Sequence, residues 1–62
     1  MNAVYDGPVV VLPVEGTNQI DVFTGVGWTH WSRFQIVKGH PRLIKGESMS
    51  DQDFQILCGI IK

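Results

Sequence analysis

Trp28-Thr29-His30-Trp31-Ser32-Arg33-Phe34-Gln35-Ile36-Val37 is the stretch on which the fold of this chain turns. A strand repeats every two residues. Trp28, His30, Ser32, Phe34 and Ile36 therefore share one face, and Thr29, Trp31, Arg33, Gln35 and Val37 the other. Phe34 and Ile36, joined by Trp28, make the even set the core face, with His30 at its margin. Trp31, Arg33 and Gln35 are left on the outward face.

Turn signals bound this strand on both sides. Lys38-Gly39-His40-Pro41 reads as a turn, Arg42-Leu43-Ile44-Lys45 as a short returning strand, and Gly46 ends it. Upstream, Gly25-Val26-Gly27 is a turn whose glycines can supply positive φ. Gln19–Thr24 is a second strand, with Ile20, Val22 and Thr24 on one face and Asp21 and Phe23 on the other. Glu15-Gly16-Thr17-Asn18 is a turn, and the β-branched run from Pro8 to Val14 is a further strand. Pro13 cannot donate to a ladder, so that strand lies at a sheet edge or ends there. Met1–Gly7 reads as a loose start.

The last segment has helical grammar. Ser50 is an N-cap with Asp53 three residues on, and Met49 and Phe54 occupy the two positions of a hydrophobic staple. Asp51 and Asp53 suit the positive end of the helix dipole and Lys62 the negative end, so a helix is predicted over Asp51–Ile61. Phe54, Leu57, Cys58 and Ile61 form its apolar stripe, which Ile56 and Ile60 widen. The predicted fold is α+β: a small, curled antiparallel sheet of about four strands packed against one C-terminal α-helix, with residues 1–62 forming a single small domain.

Composition narrows the function. A chain of 62 residues has a thin core, and with Cys58 as its one cysteine it has no disulfide to reinforce it. The two histidines are too far from each other and from Cys58 for zinc-type spacing, so no metal and no cofactor are expected. The start shows no basic, then apolar, leader, and the longest apolar run, Val9–Leu12, is far short of the roughly 20 residues a bilayer requires. A cytoplasmic protein without membrane attachment is expected. The net charge of −1 gives no overall attraction to nucleic acid, so recognition has to come from local segregation of charge.

That segregation is present. Arg33, Lys38, Arg42 and Lys45 lie between Trp28 and Lys45 with no acidic residue among them, while the flanking segments are acidic. Sequence tests for enzyme sites fail. Gly25-Val26-Gly27 precedes a strand where a dinucleotide fingerprint requires a helix. Gly46-Glu47-Ser48-Met49-Ser50 lacks the glycine of a nucleophile elbow, and Asp51-Gln52-Asp53 lacks the glycine and distal glutamate of a calcium loop. Cys58 sits on the apolar helix stripe as a small hydrophobe, and His30 has no acid near it in sequence to make it a general base.

No catalytic residue is therefore assigned. The expected partner-binding set is Trp31, Arg33, Gln35, Lys38, His40, Arg42 and Lys45. Tryptophan and arginine are favoured anchors at protein interfaces. The expectation is a non-catalytic protein-binding module, a small regulator or inhibitor of the kind that phages and other mobile elements encode. The alternative is single-stranded nucleic-acid or RNA binding, with Trp31 stacking a base and the cations on phosphates. The same residues also fit a hairpin whose tryptophan is covered and whose cations form a solvated rim. Protein is favoured over nucleic acid as the partner. A homodimer is expected too, through Val9 and Val11 on an open edge and the Ile56 and Ile60 flank of the helix.

Overall fold

A computed structural model describes residues 4–61. Five strands follow one another in an antiparallel meander: β1 (Val4–Asp6), β2 (Val9–Pro13), β3 (Gln19–Thr24), β4 (His30–Val37) and β5 (His40–Gly46). The helix α1 (Asp51–Ile60) closes the chain. The α+β architecture with one C-terminal helix matches the expectation from sequence. The addition is β1, which falls in the segment read as a loose start and pairs with β2 through Val4 opposite Val11 and Asp6 opposite Val9. Met1–Ala3 and Lys62, the latter invoked at the helix end, lie outside the described residues.

Alternation places the core as parity requires. Val9, Val11, Ile20, Val22 and Phe34 turn inward from three adjacent strands, and Leu57 meets them from the helix. The helix starts where its local chemistry dictates: the Ser50 hydroxyl accepts a hydrogen bond from the Asp53 amide at 3.2 Å. It ends at Ile60, with Ile61 as the C-cap, whose amide donates to the Leu57 carbonyl at 3.2 Å. The helix packs on β1 and β2, off-centre on the sheet. Phe54 reaches across to the β4 side, its ring centroid 6.2 Å from that of Phe34.

The structure corrects four expectations. Trp28 is not on the core face of a strand. Val26–Trp28 form a short 3-10 turn, Trp28 has a φ of 59°, and its side chain is exposed. The turn expected over residues 25–27 thus extends through Trp28 and Thr29, and β4 starts at His30. His30 itself is exposed, with its Nδ1 2.6 Å from Glu47 Oε2, and does not sit at the core margin.

The hairpin turn is tighter than expected. Only Lys38 and Gly39 form it, both at positive φ (53° and 78°), as a two-residue hairpin of the twisted type requires. His40 and Pro41 thus belong to β5, where Pro41 is tolerated because β5 is an edge strand. Finally, β2 is no edge. It lies between β1 and β3, and Pro13 simply ends it, so Val9 and Val11 are core residues unavailable to a second chain. Ile56 and Ile60 are likewise half-buried against the same core. Both features that suggested a dimer are used within the protomer.

The far edge has one irregularity. Arg33 pairs with Lys45 but Phe34 with Leu43, so Ile44 is the extra residue of a bulge. Gly46 then passes against β4 with a φ of 88°. A Cβ there would lie 2.5 Å from the Trp31 carbonyl oxygen, so no larger residue fits without backbone movement. That carbonyl accepts the Glu47 amide at 3.0 Å. The buried Ser32 hydroxyl donates to the Glu47 carbonyl, so with the His30 contact the exit from β5 is pinned three times to β4. Among the described residues, no helix is long and apolar enough to cross a membrane.

Candidate partner-binding face

The face of the sheet away from the helix is ordered in rows, because residues paired across antiparallel strands point the same way. Leu12, Asp21, Arg33 and Lys45 form one row, each paired with the next. Val10, Phe23 and Trp31 form the row beside it. Gln19, Gln35 and Arg42 form the third. Trp31, Arg33 and Gln35 are therefore outward, as strand parity predicts, and the register brings Arg42 and Lys45 beside them. Lys38 and His40 are exposed at the hairpin tip, at the end of the same ribbon.

The outward residues are not loose. Arg33 donates from Nε to Asp21 Oδ1 at 2.7 Å and from Nη2 to Oδ2 at 3.2 Å, a two-pronged arginine–carboxylate pair. Trp31 Nε1 donates to the same Oδ1 at 3.3 Å. The guanidinium carbon also lies 5.6 Å from the Trp31 ring centroid, within cation–π range. These contacts leave Trp31, Arg33 and Asp21 half-buried. Trp31 is thus neither a core residue nor a freely exposed ring.

The electrostatics follow from this geometry. Hydrogen bonding to Arg33 holds the Asp21 carboxyl below its ordinary range. Trp31 and the Arg33 charge add to the effect, against a smaller opposing contribution from burial. The same partner raises the Arg33 guanidinium. Arg33 and Lys45 stand directly opposite each other, an unfavourable like-charge pair that the Asp21 carboxylate offsets from the other side. Among the described residues, Lys38, His40, Arg42 and Lys45 enter no ion pair.

Asp21 is the member of this cluster that sequence reasoning missed. Parity did place it outward beside Phe23, but its pairing with Arg33 depends on the β3–β4 register, which the intervening turn sets.

The opposite face has a second feature. Because α1 lies over β1 and β2, the inner side of β4 and β5 is only partly covered. A groove of about 330 Å³ opens there, lined by Phe34, Pro41, Leu43, Met49 and Phe54, with the exposed Asp51 alongside. Leu43 remains 43% exposed in it. Met49 and Phe54, the two positions of the staple expected from sequence, both line this groove. His30 and the half-buried Cys58 do not line it. No known protein family, no curated protein and no solved structure matches this chain.

Proposed function

We propose that this protein is a non-catalytic protein-binding module, a small cytoplasmic regulator or inhibitor, that presents the outer face of β4 and β5 to its partner. The observation that carries the reading is the Trp31–Asp21–Arg33 cluster, held by three side-chain hydrogen bonds beside Arg42 and Lys45. An aromatic ring and a guanidinium already locked in place lose little freedom on binding, which is what an interface anchor needs. Trp31 is the anchor, Gln35 and His40 neighbouring hydrogen-bonding groups, and Lys38, Arg42 and Lys45 the steering charges.

Catalysis has little support. His30, set aside as a general base because no acid lies near it in sequence, does have the Glu47 carboxylate 2.6 Å from its Nδ1, but both side chains are exposed and neither lines the groove. The nucleic-acid alternative is weakened in turn. Arg33 spends its charge on Asp21, and the chain as a whole carries −1. The module is read as a monomer, since the apolar surfaces that pointed to a homodimer are packed inside it.

Affinity capture from cell lysate tests the reading, with and without nuclease, using the wild type and Trp31→Ala. Protein retained equally in both arms by the wild type, and reduced about 30-fold in affinity by Trp31→Ala, is the expected result for an anchor residue. Undiminished capture by Trp31→Ala removes the anchor assignment. Loss of the captured material on nuclease treatment turns the reading to nucleic acid.

A further inference from the structure

We propose that the open edge of β5 is a strand-addition site for an extended segment of a partner protein in which acidic and apolar residues alternate. The inference rests on the protein-binding reading and names the partner's chemistry. β5 is the last strand of the sheet, exposed along nearly all of its length, and its outer edge has no neighbour among the described residues. An edge strand carries a row of backbone donors and acceptors that a further strand can complete.

The two sides of that edge differ in chemistry. His40, Arg42 and Lys45 share the outward face, by their pairing with Val37, Gln35 and Arg33. Pro41 and Leu43 share the inward face and line the apolar groove with Phe54 and Met49. A strand laid along β5 would turn alternate side chains to these two sides. Those on the outer side meet Arg42 and Lys45, which enter no ion pair among the described residues, and are matched by carboxylates. Those on the inner side extend over the half-covered groove and are matched by apolar groups. Leu43 at 43% exposure and Phe54 at 36% are the surfaces such residues would cover.

A second copy of the chain is a poor occupant. Pairing β5 with β5 would bring Arg42 and Lys45 against the same cations of the other copy, and like charges opposite one another are destabilising. These charges discriminate between partners, whereas Pro41 and the bulge at Ile44 interrupt the ladder for any added strand and confine pairing to the residues around them. The same charges select for an acidic strand.

The test uses the full chain and short blocked peptides: one alternating glutamate and valine, its lysine–valine counterpart, and the glutamate peptide N-methylated at alternate residues. Amide hydrogen exchange is read by NMR. At a peptide concentration about ten times the dissociation constant, the β5 amides not already paired with β4 are expected to slow about tenfold with the glutamate peptide. The lysine and N-methylated peptides are expected to leave them unchanged. The double variant Arg42→Glu, Lys45→Glu, checked for an unchanged fold by circular dichroism, is expected to lose the glutamate peptide and gain the lysine one.

Four results of the exchange measurements overturn the proposal, and a fifth comes from the double variant. These are no protection of β5, equal protection by the N-methylated peptide, equal protection by single-stranded oligothymidylate, and concentration-dependent protection without any peptide. If the double variant still captures a protein through Trp31 as the wild type does, the edge proposal falls while the module reading stands.

Discussion

Asp21 controls the state of the outer face more than either residue it holds. It satisfies Trp31 Nε1 and two nitrogens of Arg33 at once, and it offsets the Lys45 charge on the far side of Arg33. Because its folded pKa lies below the ordinary carboxylate value, the stability it contributes is present at neutral pH. That stability is lost as pH falls through the folded value, from about 4 downward. Asp21→Asn is therefore expected to melt below the wild type at pH 7, with the gap closing as pH approaches 2. Thermal unfolding of both proteins across that range checks this, and parallel curves would exclude it. Parity alone showed Asp21 and Arg33 facing outward. Their contact was not legible, because a slip of two residues in the β3–β4 register keeps every face and pairs Asp21 with Trp31 or Gln35 instead, and the turn from Gly25 to Thr29 decides between them.

At the scale of the element, α1 shows how local and distant instructions divide. Its start is written in four neighbouring residues and forms as read, with Ser50 capping the Asp53 amide. Its landing place is not written locally. The apolar stripe runs wide enough for several orientations, and the sheet chooses the one that buries Leu57 completely. Leu57 is then the helix's main attachment to the core. Leu57→Ala is expected to cost about 2–5 kcal/mol, against the roughly 3–5 kcal/mol that a core of this size supplies in all. The variant should be largely unfolded in water, as urea titration followed by far-UV circular dichroism would show. A cost below about 1 kcal/mol would mean that the helix is anchored elsewhere. β1 is the converse case. Three residues carry no periodicity to read, and the strand exists because β2 presents an edge for them to pair with.

For the whole molecule, the question is which apolar surface is left once one small core has formed. Val9, Val11, Ile56 and Ile60 look spare when each segment is read alone, and the fold uses all four. Among the described residues, the large apolar side chains that remain exposed are Leu43, Ile44, Phe54, Trp28 and Val26. Three of these flank the guarded β5 edge or its groove. Sedimentation at micromolar concentration is accordingly expected to give one species at 6.9 kDa. A 2:1 mass ratio would show that the β5 charges do not prevent self-pairing.

The sequence by itself determined what few-residue physics can encode. This covers the alternation that turns Trp31, Arg33 and Gln35 outward, the glycine-bearing hairpin, the helix start at Ser50 and the α+β class. The tertiary structure decided the register that joins Asp21 to Arg33, the placing of β2 inside the sheet, the exposure of Trp28 and the opening of β5. Periodicity and capping are satisfied within one turn or one strand. Edges and covered faces result from competition among distant segments for a limited apolar surface, and that competition ends only when the whole chain has closed.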